Sequence, residues 1–155
     1  MNNKFLGIKI FGLLILTSSA FAGSFDGHWY VTKMECNGER ASEATANHYR
    51  PPNSITVNIQ GSNGAFIDDV NGCQKIIPLL FNYPSPTLMT ASFSGPIQCA
   101  PESCDSACGQ LLPISVAYEV FRRNNTLIWD SIGPIDDNCA KGGQTDPITY
   151  YMHVR

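Results

Sequence analysis

The residues best suited to chemistry in this 155-residue chain are six cysteines, all of which follow an N-terminal export-type segment. They are Cys36, Cys73, Cys99, Cys104, Cys108 and Cys139. An even number of cysteines in an exported chain predicts disulfides, because compartments outside the cytosol are oxidising. The alternative is a metal site, since Cys99, Cys104 and Cys108 are close enough in sequence to chelate one ion. Their wide spacing favours disulfides, and we predict neither a metal site nor a cofactor.

The spacing of six cysteines does not determine which of them pair. We predict a Cys36–Cys73 disulfide, because each of these cysteines lies at the end of a predicted strand. Cys99, Cys104 and Cys108 would then form one disulfide within their own loop and one to Cys139.

Other candidate chemical groups are sparse. The sequence contains no G-x-S-x-G, no H-E-x-x-H, no phosphate-binding glycine loop and no EF-hand spacing, so we predict that it is not an enzyme. His28 and His153 lie on predicted strands that a closed barrel would make neighbours, with both side chains facing solvent. In the pair Asp68-Asp69, strand alternation directs one carboxylate inward.

The first 22 residues have the pattern of a secretory signal peptide. Lys4 and Lys9 give it a basic start, and residues 10–16 form an apolar run. Ala20 and Ala22 are the small residues expected at a cleavage site. We predict that residues 1–22 are removed and that residues 23–155 form one exported domain, periplasmic or secreted, with no membrane span. Losing two lysines changes the formal net charge from −3 to −5. This negative charge argues against nucleic acid and anionic membranes as partners, because proteins bind both through clustered Lys and Arg.

Alternating apolar and polar residues predict eight strands in the remaining chain. They cover residues 28–35, 54–60, 64–70, 73–80, 87–94, 112–123, 126–132 and 148–155. Asn71-Gly72 is the strongest hairpin signal, because a type I′ turn requires positive φ at both positions. A short helix is predicted over residues 41–47, and residues 82–86 are predicted to be a connection.

Eight short strands joined mostly by tight turns predict an all-β fold, an eight-stranded up-and-down antiparallel barrel. A two-sheet β-sandwich is the alternative. Successive connections in such a barrel alternate between its two ends. The turns at Gly61, Pro84 and Asn124 therefore share one end, which we call the closed end. The connections that carry the cysteines share the other end, which we call the rim.

The segment Phe25-Asp26-Gly27-His28-Trp29 resembles the G-x-W signature of the lipocalins and their calycin relatives, which include fatty-acid-binding proteins and avidins. The resemblance implies structural roles for Gly27 and Trp29, with Trp29 packed inside the closed end and ligands entering at the rim. In lipocalins an arginine packs over this tryptophan, and Arg122 and Arg155 are both candidates here. The chain departs from the lipocalin pattern, since it has neither a T-D-Y segment nor a C-terminal helix.

Two classes of function remain open. The first is a binding module that holds a small apolar ligand inside the barrel. The second is a protein-interaction or inhibitor module that contacts its partner with the rim loops. A hollow interior favours the first class and a filled interior the second. Aromatic side chains on the predicted strands are the candidate ligand contacts, namely Phe93, Tyr118, Trp129 and Tyr150.

Overall fold

The computed structural model describes residues 22–42, 50–133 and 147–154. Its strands are β1 (Gly27–Cys36), β2 (Glu39–Arg40), β3 (Ile55–Gln60), β4 (Asn63–Val70), β5 (Cys73–Ser85), β6 (Leu88–Phe93), β7 (Gln98–Ala100), β8 (Ser115–Arg123), β9 (Thr126–Ser131) and β10 (Ile148–Val154). A short 3₁₀ helix, Ala22–Phe25, precedes β1. The helix predicted over residues 41–47 lies outside the described residues, except for Ala41 and Ser42, which are not helical.

Eight of these strands form one closed antiparallel sheet. Its order is β1-β3-β4-β5-β6-β8-β9-β10, and β10 pairs with β1 to complete the circle. This confirms the predicted eight-stranded barrel over the β-sandwich. The two short strands are additions that the sequence pattern did not reveal: β2 extends the rim end of β1, and β7 pairs with the first part of β5.

Alternation determines which side chains face the interior. In β3 the apolar residues Ile55, Val57 and Ile59 are buried, whereas the polar residues between them are partly exposed. The turn between β4 and β5 has positive φ at Asn71 (54°) and Gly72 (78°), as the predicted type I′ hairpin requires. Tight turns of this kind fix the register, so that each strand presents its apolar face to the same core.

Two strand boundaries differ from the prediction by more than one residue. β5 continues to Ser85 instead of ending at Leu80, because Phe81 and Tyr83 extend the inward-facing alternation and both are buried. The pairing of β5 with β6 shifts register between Asn82 and Ser85, and this irregularity accommodates the proline in between, which lacks an N–H. β8 begins at Ser115 rather than at residue 112. A local Ile114 N–H to Leu112 carbonyl bond turns the chain just before that point.

The two ends of the barrel separate the connections as predicted. The β3–β4, β5–β6 and β8–β9 turns lie at the closed end, where β1 begins and Gly27 faces Ile59. All five described cysteines lie at the rim: Cys36 ends β1, Cys73 begins β5, and the other three are in or just after β7. Cys139 lies outside the described residues.

The closed half of the barrel is filled by its own side chains. Trp29 is fully buried and its Nε1–H donates to the carbonyl of Phe25 at 2.9 Å. The Phe25 ring stacks on Tyr83 with centroids 5.5 Å apart, so the 3₁₀ helix closes this end. Glycine is favoured at position 27 because φ is 153°, which other residues rarely adopt, and because a Cβ there would lie only 3.0 Å from the Trp29 Nε1 atom. The structural roles expected for Gly27 and Trp29 therefore have a direct physical basis.

Candidate functional site

A cavity of about 260 Å³ lies in the rim half of the barrel. Inward-facing side chains of six strands, β4, β5, β6, β8, β9 and β10, form its walls. Leu112 and Ile114, from the connection that precedes β8, complete the lining at the rim. The barrel is therefore filled at its closed end and hollow near its rim.

All four predicted aromatic site residues line this cavity. Phe93, Tyr118, Trp129 and Tyr150 come from β6, β8, β9 and β10, which are consecutive in the sheet. Trp129 is directly opposite Tyr150 in the register of β9 and β10, and its ring centroid is 5.3 Å from that of Tyr118. Sequence reasoning brought these residues together because each one occupies an inward position of its strand.

The prediction missed a fifth aromatic residue in the cavity lining, Phe66. Phe66 of β4 lines the cavity, and its ring meets Tyr150 edge-on with centroids 6.1 Å apart. Phe66 and Asp68 lie on the same face of β4, but alternation alone did not decide whether that face or the face with Ile67 and Asp69 points inward. Leu112 and Ile114 were also missed, since both were assigned to a strand rather than to the cover of the cavity.

The lining of the cavity carries no formal charge. Its polar groups are the hydroxyls of Tyr118 and Tyr150 and the indole N–H of Trp129. Burial raises the pKa of both tyrosines well above the ordinary value of 10.0, so their hydroxyls stay protonated at neutral pH. The buried Trp129 Nε1–H has no hydrogen-bond partner among the described residues.

An ion-pair chain lies beside the cavity at the rim. Asp68 is buried, as one member of its pair was predicted to be, and Arg50 Nε donates to its two carboxylate oxygens at 3.0 and 2.8 Å. Lys75 Nζ lies 3.6 Å from Asp68 Oδ2 and 3.0 Å from Asp105 Oδ2. A backbone N–H bond from Ala107, with a bond from Lys75, lowers the pKa of Asp105. This chain ties β4 and β5 to the cysteine-bearing connection.

Two disulfides hold the same connection. They join Cys73 to Cys104 and Cys99 to Cys108, with Cα–Cα distances of 5.5 and 5.7 Å. The sulfur atoms of Cys99, Cys104 and Cys108 lie within 4.8 Å of one another because the two bridges are adjacent. Sulfur in a disulfide offers no thiolate to a metal ion.

The predicted Cys36–Cys73 disulfide is wrong. Cys73 bonds to Cys104, and Cys36 takes part in a different disulfide. The physical reason is the sheet order, since β3 and β4 separate the end of β1 from the start of β5. A bridge from the Cys99, Cys104 and Cys108 group to Cys139 is likewise wrong, whereas the bridge within that loop is confirmed.

The two strand histidines lie where alternation placed them. His28 and His153 are on the neighbouring strands β1 and β10, and both side chains are exposed on the outer face of the barrel. Neither approaches the cavity lining.

A larger hollow of about 820 Å³ lies at the closed end, next to the 3₁₀ helix. Solvent-exposed side chains such as Phe121, Arg123 and Asn124 contribute to its lining, so a molecule there would sit on the outer surface of the barrel. The rim cavity, walled by buried aromatic rings, is the better candidate for a binding site.

Comparison of the chain with protein-family models, with curated proteins and with solved structures gives no match. Across the described residues, no helix has the length and apolar character needed to cross a membrane. The fold and the site therefore define the class of protein by themselves. It is a closed antiparallel eight-stranded β-barrel with an aromatic cavity at a disulfide-bonded rim.

Proposed function

We propose that this protein is an exported, calycin-like binding module that holds a small apolar ligand in the rim cavity. The observation that carries the proposal is the uncharged, aromatic lining of the cavity, above a closed half that is filled. A barrel filled from end to end would leave no interior space for a ligand.

Three features of the closed end support the calycin-like part of the proposal. Trp29 follows Gly27 with one residue between them and is buried, as in a G-x-W signature. A 3₁₀ helix closes the barrel just before β1. The guanidinium of Arg122 packs over the Trp29 ring, which favours Arg122 as the arginine that covers this tryptophan in lipocalins. The other candidate, Arg155, lies outside the described residues.

The size of the cavity limits the size of the ligand. A cavity of about 150 Å³ lined by Leu, Ile and Phe is known to hold benzene. By proportion, the cavity of about 260 Å³ would hold a molecule of roughly ten non-hydrogen atoms. A one- or two-ring compound fits this volume better than a long acyl chain.

The disulfides support the exported part of the proposal. Cys73–Cys104 and Cys99–Cys108 both constrain the connection whose end lines the cavity. Bridges of this kind persist in oxidising compartments and are rare in the cytosol. Together with the signal-type N-terminal segment, they support a periplasmic or secreted location for the protein.

The test is native mass spectrometry of the protein purified from its own periplasm or medium. We expect a retained small molecule in the wild-type protein and its loss in Ala91→Phe, because Ala91 lines the cavity and a phenyl ring would fill it. Ala117→Phe is the matched control, since Ala117 lies on the adjacent strand β8 outside the cavity lining. A wild-type protein that retains no molecule and binds no added one- or two-ring apolar compound would overturn the proposal.

A second function, a protein-interaction or inhibitor module, is supported by apolar side chains exposed at the rim. Leu111, Ile114 and Ile132 are 62%, 43% and 54% exposed. Exposed apolar groups on disulfide-constrained loops can dock a partner with little loss of loop entropy. Leu111→Ser with Ile132→Ser separates the two functions, because it would weaken partner binding and leave binding in the cavity unchanged.

A further inference from the structure

We propose that the rim carries a thiol-exchange site, at which a small external thiol opens the Cys73–Cys104 disulfide and Cys104 then attacks the adjacent Cys99–Cys108 disulfide. This goes beyond ligand binding in the rim cavity, because it concerns a different site and a covalent reaction. It depends on the positions of the sulfur atoms and on a surface hollow that only one of the two bridges lines.

One of the two bridges is open to an attacking thiol. Cys73 and Cys104 line a hollow of about 380 Å³, whereas Cys99 and Cys108 are not part of its lining. The exposed Asn71 of the β4–β5 turn forms part of the wall, so the hollow is open to solvent. Because exchange begins when a thiolate attacks an accessible disulfide sulfur, Cys73–Cys104 is the bridge that reacts first.

The charges around the hollow favour thiolates. Arg50 and Lys75 contribute two positive charges to its lining, and Asp105 contributes one negative charge. Asp68, which pairs with Arg50, is not part of the lining. Both the attacking sulfur and the leaving sulfur are thiolates during exchange, and nearby cations lower the pKa of a thiol. The hollow therefore combines access to the bridge with a positive lining.

Cys104 also lies next to the second bridge. The Sγ atoms of Cys99, Cys104 and Cys108, which we call the sulfur group, lie within 4.8 Å of one another, and Cys73 does not belong to this group. A thiolate at Cys104 therefore needs little movement to reach either sulfur of the Cys99–Cys108 bridge. Of these four cysteines, Cys104 alone belongs to both the open bridge and the sulfur group.

The reaction balances in two steps. The external thiolate bonds to Cys73 Sγ, the Cys73–Cys104 bond breaks, and Cys104 leaves as a thiolate. This thiolate bonds to one sulfur of the Cys99–Cys108 bridge, the bond within that bridge breaks, and the second sulfur leaves as a thiolate, which water protonates. The number of disulfide bonds stays the same, so no oxidant is consumed. The products are a mixed disulfide at Cys73 and a connection that this disulfide no longer joins to β5.

Two single variants test the geometry without an added thiol. Cys73→Ser leaves Cys104 as a free thiol inside the sulfur group, and Cys104→Ser leaves Cys73 as a free thiol outside it. Each protein is incubated at about pH 8, where part of a cysteine thiol is ionised, and is then denatured and alkylated without reductant. Digestion after Glu102 and before Asp105 separates the three cysteines of the group onto different peptides, so mass spectrometry locates the label.

We expect the label to spread in one variant and not in the other. In Cys73→Ser, more than about a tenth of the label should lie on Cys99 and Cys108 together, because exchange equilibrates the pairings within reach of one thiol. In Cys104→Ser, the label should lie on Cys73 alone, with the Cys99–Cys108 bridge intact. Label confined to Cys104 in the first variant, or spread equally widely in both, would overturn the proposal.

The wild-type protein provides a second measurement in case a variant does not fold. It is incubated with a limiting amount of reduced glutathione, then alkylated and digested in the same way. We expect glutathione on Cys73 and a new bridge from Cys104 to Cys99 or Cys108. If glutathione opens Cys73–Cys104 and the alkylating label is found only on Cys104, the transfer step is wrong. If the Cys99–Cys108 bridge opens first, or neither bridge reacts, the site itself is wrong.

Discussion

The guanidinium carbon of Arg122, at the end of β8, lies 5.2 Å from the centroid of the Trp29 ring on β1. Arg122 Nη1 also donates to the Ser24 carbonyl, just before the 3₁₀ helix ends. One side chain therefore joins three separate segments over the closed end of the barrel. Entry to the cavity is consequently expected from the rim.

Removing the buried indole should destabilise the whole barrel. We expect Trp29→Ala to lower the free energy of unfolding by roughly 3 to 5 kcal/mol, because it leaves a cavity in the filled half. Urea denaturation followed by circular dichroism measures the loss. Ligand binding at the rim should persist in the fraction that still folds. A substitution without effect on stability would show that the G-x-W segment has no structural role.

The contact of Arg122 with Trp29 should contribute to stability by itself. We expect Arg122→Met to cost about 1 kcal/mol, since it keeps the aliphatic stem and removes the cation–π contact and the bond to Ser24. Arg123→Met is the control, because Arg123 is the adjacent, exposed arginine. The same urea experiment compares the two variants, and equal losses would contradict the prediction.

The cysteines should resist alkylation in the absence of reductant. None of the described cysteines is free, so denatured, unreduced protein should take up no label. Peptide mapping should recover the Cys73–Cys104 and Cys99–Cys108 bridges. Changing Cys73 and Cys104 together to Ser should cost on the order of 2 to 5 kcal/mol, because the open loop gains entropy in the unfolded chain. Stoichiometric labelling of any described cysteine would disprove the disulfide assignment.

Alkaline pH should destabilise the barrel through its buried tyrosines. Tyr118 and Tyr150 have a pKa raised by burial above 10.0, the value expected in the unfolded chain. Their contribution to stability is complete below that pH and is lost as the pH rises toward the folded-state pKa. We therefore expect the free energy of unfolding to fall above about pH 10. Tyr118→Phe should make this decline shallower, and an unchanged slope would count against the prediction.

If ligands bind at the rim, shortening the two ends of the barrel should have opposite effects. Shortening the turn at Ser62 or Asn124 should leave the affinity for a bound two-ring compound unchanged, because both turns lie at the closed end. Trimming residues 100–109 should abolish binding, since this segment carries two bridged cysteines and precedes the cover of the cavity. If shortening the turns lowers the affinity and trimming residues 100–109 does not, the site lies at the closed end and the prediction is wrong.

Strand alternation made most of the barrel predictable. It placed Tyr118, Trp129 and Tyr150 on inward positions of three strands, and the closed sheet then brought them to one cavity. The cavity itself was not predictable, because its volume depends on how side chains such as Phe66 and Leu112 pack in three dimensions.

The disulfide pairing failed for a different reason. Cys36 and Cys73 do share the rim, but sharing one end of a barrel does not make two residues neighbours around it. The position of Cys99 opposite Lys75 depends on β7, which has three residues and is too short to show alternation in the sequence. Without β7, nothing in the spacing indicated that Cys73 lies beside the Cys99 to Cys108 segment.

The seam between β1 and β10 also constrains how the chain folds. It joins residues such as Thr32 and Tyr151, which are 119 positions apart. Contacts at such separation carry a large loop-closure cost, so folding on the order of milliseconds to seconds is expected rather than the microseconds of local folds. Until β10 arrives, β1 and β9 each present an unpaired edge that can associate with other chains. By pairing with both β1 and β9, the single strand β10 removes both edges at once.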